Sequence, residues 1–153
     1  MQELDGLDRR ILRALQEDAS LTAAELGKRV NYAAASCWRR VERLERDGVI
    51  KSRQIVIDPK AIGYEVEVSL RVTLDKTVKN AFDEFIAEAR KVAEINEIQT
   101  FLGRVDVRLN VLARDMEHYQ QIYRTRILGL PHIADIEALM LISNVMEREV
   151  LPV

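Results

Sequence analysis

Positive side chains cluster between residues 28 and 53 of this chain, where eight lysines and arginines stand against three acidic residues. Four of the arginines fall in the stretch ASCWRRVERLER. Apolar residues recur there at i, i+4 and i+7, so arginines occupy the opposite face of a predicted helix. A guanidinium donates paired hydrogen bonds to phosphates and to the edge of guanine. Because small residues 33–36 open this helix, its first turn can approach another surface closely, and the cluster predicts contact with a nucleic acid.

Two kinds of contact are expected from this cluster. Side chains at the start and on the exposed face of the helix would read base edges in a major groove, and flanking cations would hold phosphates. The groove contacts are predicted at Ala35, Ser36, Arg39, Arg40 and Arg43, and the phosphate contacts at Lys28, Lys51 and Arg53. Alternatively, one of Arg39 and Arg40 pairs with an acid of the preceding helices, and the sequence leaves open which. A solvated Arg/Glu face is the competing interpretation, since Glu42, Glu45 and Asp47 share the helix.

The neighbouring residues, which must position this helix, predict a helix-turn-helix. Thr22 and Glu25 form the Thr-x-x-Glu pattern of a capping box at the start of a preceding helix. Asn31 stands where the turn needs a positive φ, and Gly48 stands where the second helix should end. Residues 7–18 predict a further amphipathic helix that completes a three-helix unit.

A basic hairpin is predicted directly after these helices. Residues 49–50 and 55–57 predict two short strands around a polar tip, Lys51–Arg53. An ordinary surface turn is the alternative for this hairpin, but its position directly after a basic helix favours a wing. Residues 1–60 are therefore predicted to form a winged helix-turn-helix domain that binds double-stranded DNA.

Residues 61–153 follow a pattern of alternating strands and amphipathic helices. Strands are predicted at 64–74, 94–102, 105–113 and 133–142, and helices at 78–92 and 115–128. The order β-α-β-β-α-β predicts a ferredoxin-like domain, so the fold class is α+β. Helices cover one face of such a sheet, and the apolar run at 139–142 exceeds what a half-buried strand requires. We therefore predict a homodimer in which two sheets pack together.

The whole chain is slightly acidic, so the basic cluster is local. The 153 residues carry a net charge of −2, made up of +2 over residues 1–60 and −4 over residues 61–153. The absence of a membrane-length apolar run and of a signal-peptide core, with Cys37 as the only cysteine, predicts a reducing cytoplasm and no membrane partner. His118 and His132 lack partners at metal-ligand spacing, and Cys37 lies on the inner helical face. We therefore predict no metal, no cofactor and no catalytic residue.

The motifs taken together resemble the Lrp/AsnC family of leucine-responsive and asparagine-responsive regulators. The resemblance extends over nearly the whole chain and rests on LDGLDRRILRALQED, AELGKRV, SCWRRVERLERDGVI, IDPKAIGY, the G-x-x-D of Gly103–Asp106, DMEHY and GLPHI. It implies a transcription regulator whose second domain binds a small-molecule effector, often an amino acid, between subunits. It also implies dimers that commonly assemble into octamers. One departure removes a helix cap, because Ala33-Ala34 stands where the family has Ser-Pro.

The same resemblance implies an effector region, and the chain departs from the family pattern there. The implied residues are Leu102, Gly103, Arg104, Asp106, Arg108 and Ala138. Leu102 and Ala138 each replace a frequent threonine, and Arg108 stands where the family is apolar. Asp106 is expected to pair with an α-amino group, and free N–H groups around Gly103 to hold a carboxylate.

These departures motivate a hypothesis about the ligand. We expect an effector other than leucine or asparagine, in which Arg104 or Arg108 recognises an additional acidic or polar group. The alternative is that Arg108 lies on a solvated sheet edge. A different function is also open, because sirohaem decarboxylases resemble the same two-domain fold and act on a tetrapyrrole. The position of the basic cluster, on a helix and a hairpin rather than in a cleft, favours the DNA-binding regulator.

Overall fold

Three helices form the first half of the computed structural model, which describes residues 3–146 and 150–153. They are α1 (Gly6–Glu17), α2 (Ala23–Val30) and α3 (Ala34–Arg46). Their apolar faces meet in one core, whose fully buried members include Ile11, Leu26, Cys37, Val41 and Leu44. The amphipathic spacing that predicted the helices therefore also selects the side chains that pack them together.

Local hydrogen bonds determine where α2 begins and ends. The N–H of Glu25 donates to Thr22 Oγ1 (3.3 Å) and the N–H of Thr22 donates to Glu25 Oε2 (2.8 Å), which confirms the capping box. Asn31 adopts a φ of 53°, in the left-handed region, as predicted. In contrast, the residue before α3, Ala33, provides no side-chain cap, so the first N–H groups of α3 lack the side-chain acceptor that α2 has.

The turn between α2 and α3 is tight because Gly27 allows two backbone segments to approach each other. A Cβ atom at this position would lie 2.8 Å from the carbonyl oxygen of Tyr32 and 3.0 Å from Cα of Ala34. The N–H of Tyr32 donates to the carbonyl of Gly27 at 2.9 Å. Only glycine fits here without displacing the start of α3.

The predicted strands of the wing are wrong, because residues 49–57 form no strand in the structure. The N–H groups of Val49 and Ile50 both donate to the carbonyl of Leu44, at 2.9 and 3.0 Å. The chain therefore turns back onto the end of α3 instead of pairing with itself, and Ile55 and Val56 are left exposed. Alternation of apolar residues describes side-chain direction only and does not reveal whether a partner strand lies within hydrogen-bonding distance.

Four antiparallel strands and two helices form the second half, in the predicted order. The strands are β1 (Val66–Leu74), β2 (Ile95–Thr100), β3 (Val107–Ala113) and β4 (Ile133–Met140), and the helices are α4 (Ala81–Ala89) and α5 (Met116–Ile122), which continues into a π-helical turn, Tyr123–Ile127. The strands lie side by side in the order β2-β3-β1-β4. This arrangement confirms the ferredoxin-like α+β fold. Residues 101–106 form a longer connection than the tight turn predicted at Gly103-Arg104.

The two faces of this sheet differ in chemistry. One face is apolar, and its residues, among them Leu70 and Leu109, form a core with the helices of the second half. By strand register, the opposite face carries Glu67, Ser69, Arg71, Glu97, Gln99, Arg108, Asn110, Leu112, Glu137 and Leu139. We call this second surface the open face. Within the apolar run at 139–142, Leu139 lies on the open face and Met140 is opposite Val68 on the other face. Leu141 follows the end of β4, where its N–H donates to the carbonyl of Glu67 at 2.9 Å, and it lines the same open-face cavity as Leu139.

Near the end of the chain, Leu151 contacts the first helix. The N–H of Leu151 donates to Gln16 Oε1 (2.5 Å), and Gln16 Nε2 donates to the carbonyl of Leu151 (3.2 Å). The chain thus divides into two compact units: the described part of Met1–Val56 with Val145–Val153, and Ile57–Asn144. From the sequence we assigned all of 61–153 to one domain. The periodicity of side chains does not reveal that Leu151 contacts α1, because that contact joins residues remote in the chain.

Candidate nucleic-acid interface and ligand-binding region

The first turns of α3 present a small exposed surface with one unpaired arginine. Ala35 and Arg39 are exposed, and Ser36 is half-buried. Arg39 Nη2 lies 3.3 Å from Ser36 Oγ, and the guanidinium has no carboxylate partner among the described residues. Since Ala35 and Arg39 are one helical turn apart, these three predicted groove residues are brought together on one surface.

Arg40 and Arg43 are instead bonded to the start of α1. Arg40 Nη1 donates to Asp8 Oδ1 at 3.0 Å, and Arg43 Nη2 donates to Asp8 Oδ2 at 2.6 Å. Arg40 also pairs with Asp5. Asp8 is 1% exposed and is the buried charged residue of the described structure. The sequence left open whether Arg39 or Arg40 pairs with an acid of the preceding helices, and in the structure it is Arg40. The sequence did not predict that Arg43 would also pair with Asp8.

Hydrogen bonds keep the carboxylate of Asp5 charged. Asp5 Oδ1 accepts the N–H groups of Leu7 and Asp8, at 2.9 and 2.8 Å. The pKa of Asp5 is lowered from 3.8 to about 2, first by the N–H of Asp8 and then by the guanidinium of Arg40. The pKa of Arg40 is raised in turn, with Asp5 the larger cause and Asp8 the second. Asp5 therefore keeps its negative charge, and its attraction for Arg40, at a lower pH than an ordinary aspartate would.

The cations expected to contact phosphate differ in their freedom. Lys28 and Lys51 are exposed, and neither forms an ion pair among the described residues. Arg53 donates to Glu45 at 2.9 Å, and its guanidinium carbon lies 5.1 Å from the centre of the Trp38 ring. Arg53 is thus held against α3 by Glu45 and by a cation–π contact with Trp38, which is itself a residue of α3.

In the second unit, Asp106 is already bonded within the chain. Its Oδ2 accepts the N–H of Leu74 at 2.8 Å, and its Oδ1 pairs with the ammonium group of Lys76. Lys76 is the main cause, and Leu74 the second, of a lowered pKa for Asp106. In this structure Lys76 holds the place that the sequence assigned to an α-amino group, so a ligand would have to displace it.

The other predicted ligand residues do not converge within one chain. Leu102–Arg104 is exposed on the connection between β2 and β3, where the carbonyl of Arg104 accepts the hydroxyl of Thr73 at 3.2 Å. Arg108 lies on the open face, and Ala138 lies on the other face because it is opposite Leu70. Because the sheet separates these two side chains within one chain, a single ligand can touch both types only if Arg108 comes from one copy and Ala138 from another.

Arg108 lines a cavity of about 300 Å³ on the open face. Its Nη2 lies 3.3 Å from Glu97 Oε2, and Glu67 accepts a hydrogen bond from Asn110 at 2.9 Å. Glu97 pairs with Arg108, and Glu67 adds a second carboxylate to the cavity, so an acidic group of a ligand would reach Arg108 only by displacing Glu97.

The described part of the chain carries no metal-binding or membrane-spanning feature. No group of three His, Cys, Asp or Glu side chains among the described residues is arranged to hold a metal ion, and none of its helices is long and apolar enough to cross a bilayer. Burial raises the pKa of the Cys37 thiol, which makes the thiolate less available. His118 Nδ1 accepts the N–H of Arg114 at 3.2 Å, and His132 Nε2 pairs with Glu84 at 2.5 Å.

Comparisons with known proteins match each unit to a described family. A model for winged helix-turn-helix DNA binding matches residues 4–51. A model for the Lrp/AsnC ligand binding domain matches residues 67–151, which is more than half of the chain. The first match contains α1, α2 and α3, and the second contains the four strands of the sheet.

Whole-chain relatives are similar along nearly their full length. The glutamate uptake regulatory protein of Zymomonas mobilis is 29% identical over 152 residues, which cover 99% of this chain and 92% of the relative. The leucine-responsive regulatory protein of Salmonella typhimurium is 31% identical over 146 residues, which cover 95% of this chain and 89% of the relative. A transcriptional regulator of Neisseria meningitidis, solved as a complex with L-Met, superposes with a TM-score of 0.91 at 27% identity, covering 98% of this chain and 97% of that one.

Proposed function

Because this chain belongs to the Lrp/AsnC family of transcriptional regulators, we propose that it binds operators through α3 and responds to an amino-acid-like effector bound by its second unit. Its relatives are regulators and not enzymes, which removes the tetrapyrrole enzyme as an alternative. The observation that carries the proposal is the exposed start of α3, where small side chains and an unpaired Arg39 stand in a helix-turn-helix. Such a surface fits a major groove.

The proposed DNA contacts follow from which side chains are free. Arg39 and Ser36 approach base edges, with Ala35 allowing close contact. Lys28 and Lys51 neutralise phosphates on either side. The predicted set of eight residues also includes Arg53, which Glu45 holds on α3. Its last two members are Arg40 and Arg43, which pair with Asp8.

The proposed assembly is a homodimer that forms through the open face and builds to an octamer in the cytoplasm, with DNA binding assigned to residues 1–60 and effector binding and dimerisation to residues 61–153. A sheet with helices on one side only supports the dimer, since its second face is otherwise hydrated. A two-fold protein also suits two half-sites of an operator.

The proposed effector is an amino acid or related metabolite with a polar or acidic side group. The relative solved with L-Met supports an amino-acid effector in general, and the relative named for glutamate uptake supports an acidic side group. Arg104 and Arg108 are the proposed partners of the side group, with Leu102, Gly103, Asp106 and Ala138 around the ligand between subunits. A ligand of this kind changes assembly only by as much as it prefers one state over another.

A thermal-shift screen of amino acids and small organic acids tests the effector proposal. A ligand that binds only the folded state stabilises it by RT ln(1 + L/Kd), with L the concentration of free ligand, so the melting temperature rises with the concentration and the affinity of the ligand. Arg108→Ala should remove the shift given by ligands with an extra acidic or polar group. Arg124→Ala, which removes an exposed arginine from the turn after α5, serves as the matched control. Equal shifts in the wild type and in Arg108→Ala would refute the role of Arg108.

Selection of genomic DNA fragments by the purified full chain tests the DNA-binding proposal. We expect a small set of fragments to be enriched and their binding to weaken steeply with salt, because phosphate contacts release counterions. A protein that enriches no fragment over random DNA, or that binds a tetrapyrrole instead, would contradict it.

A further inference from the structure

The carboxylate of Asp8 accepts hydrogen bonds from three donors, and two of them, on Arg40 and Arg43, join α1 to α3. Arg40 bonds to Oδ1, and Arg43 bonds to Oδ2 together with the N–H of Asp5, at 3.3 Å. Asp5 adds a second acid on Arg40 while it caps α1. The start of α1 therefore holds two successive turns of α3, so that the direction of α3 is defined by charge as well as by apolar packing.

Removing either arginine from this cluster would leave a buried charge incompletely paired. Asp8 is buried, and a buried carboxylate that loses its partner is strongly destabilising. The Nε of Arg43 is buried without a hydrogen-bond partner, although the side chain as a whole is 41% exposed, so its Nη2–Asp8 bond is what holds the guanidinium in place. Both arginines are consequently poor candidates for leaving Asp8 to contact a base edge.

The remaining arginines of α3 are Arg39 and Arg46. Arg46 stands seven residues after Arg39, about 10 Å further along the helix axis, and lies 3.9 Å from Asp47. Arg39 is therefore the arginine that combines exposure, freedom from carboxylates and proximity to the small residues at the start of α3.

We propose that Arg40 and Arg43 are positioning residues, which orient α3 through Asp8, and that Arg39 is the arginine of α3 that determines base specificity. This inference rests on the proposed DNA-binding function. It divides the arginines of one helix into an exposed side chain that contacts a base, Arg39, and two side chains that bind Asp8 of α1, Arg40 and Arg43.

The test compares three single variants of the full chain, Arg39→Gln, Arg40→Gln and Arg43→Gln. Lys91→Gln is the matched control, since it removes one exposed positive charge from the second unit, where Lys91 pairs with Glu88. Each protein is titrated against an enriched duplex and a scrambled duplex of equal length over a range of salt concentrations, and its melting temperature is measured. The titrations are repeated with Arg40→Gln and Arg43→Gln in an Asp8→Asn background.

Arg39→Gln should weaken binding to the enriched duplex by about 5- to 150-fold, the range for one base contact, and leave the melting temperature at that of the control. Arg40→Gln and Arg43→Gln should lower the melting temperature and the affinity for the enriched duplex, while the slope of log affinity against log salt stays at the wild-type value. In the Asp8→Asn background they should cause little further loss, because the orientation of α3 is already lost.

A direct role for Arg40 or Arg43 would give a different pattern. The salt slope would fall by about one unit with the melting temperature unchanged, or the loss of affinity would be the same with and without Asp8. Either result overturns the inference. If a glutamine variant does not fold, Arg40→Lys or Arg43→Lys replaces it, because lysine keeps the charge but not the guanidinium geometry, and the same salt slope decides. A wild type that does not prefer the enriched duplex would instead contradict the DNA-binding function itself.

Discussion

Asp5 has two roles at the start of α1, and both depend on its hydrogen-bonded carboxylate. It caps the helix through the N–H groups of Leu7 and Asp8, and it pairs with Arg40 of α3. The same carboxylate therefore stabilises the start of α1 and the contact between α1 and α3. The charge of Asp5 should therefore be visible in the acid dependence of stability of the first unit.

We predict that Asp5→Asn reduces stability at pH 7 and that this difference disappears under acid. The lowered pKa of Asp5, about 2 against 3.8, means that its charge stabilises the folded state above pH 4 and that this contribution is lost as the pH falls towards 2. Asparagine keeps the cap but cannot ionise. Urea unfolding followed by the fluorescence of Trp38, the only tryptophan, measures it.

The control for this experiment is Asp83→Asn, an exposed aspartate in the first turn of α4 in the other unit. It should not alter the Trp38 transition at either pH. A difference between Asp5→Asn and wild type that is as large at pH 2 as at pH 7 would show that the charge of Asp5 is not responsible.

At the scale of elements, the geometry of the helix-turn-helix depends on one backbone contact and several side-chain bonds. Gly27 brings α2 against the start of α3, and the cluster around Asp8 ties α3 to α1. The absent cap at Ala33 makes these tertiary constraints more important for α3 than for its neighbours. The start of α3, which carries the proposed groove residues, is thus placed by contacts that lie outside the helix itself.

We predict that Gly27→Ala destabilises the first unit although alanine favours helices by up to about 1 kcal/mol over glycine. A Cβ atom 2.8 Å from the carbonyl oxygen of Tyr32 cannot be accommodated without moving backbone. Overpacking of this kind costs about 1–3 kcal/mol. Gly6→Ala in α1 is the matched control, since no atom lies within 4 Å of its Cβ, and it should be neutral or slightly stabilising. Urea unfolding compares the two, and equal effects would refute the close approach.

For the whole molecule, the open face of the sheet is the surface whose role depends on a second copy. It is mostly polar, with ion pairs between Arg71 and Glu137 (3.6 Å) and between Arg108 and Glu97 (3.3 Å). A largely polar interface relies on shape and on matched charges, and long-range attraction between exposed charges is screened by salt. Leu139 provides an apolar contact within this surface.

We predict that Leu139→Arg shifts the protein from dimers or larger assemblies towards monomers, because it places a charge where two open faces would meet. Leu128→Arg is the matched control, since Leu128 is exposed after the last turn that follows α5, on the helical side of the unit. Sedimentation velocity at micromolar concentration measures the distribution. A wild-type chain that sediments as a monomer, or two variants with the same assembly, would contradict dimerisation through the open face.

The sequence by itself determined the features that depend on neighbouring residues. Capping at Thr22, the left-handed turn at Asn31 and the 3.6- and 2-residue periods of the core identified the helices and the strands of the second unit in their correct order. These signals are readable because each is completed within a few residues of chain. The fold class and the basic face of α3 follow from them.

Tertiary structure alone decided which charges are free and which segments pair. Arg40 meets Asp8 across 32 residues, and Gln16 meets Leu151 across 135. The hairpin expected at 49–57 does not form, and Arg108 and Ala138 lie on opposite faces of the sheet. Such outcomes depend on distances between residues remote in sequence, and composition or periodicity describes only the direction and polarity of each side chain.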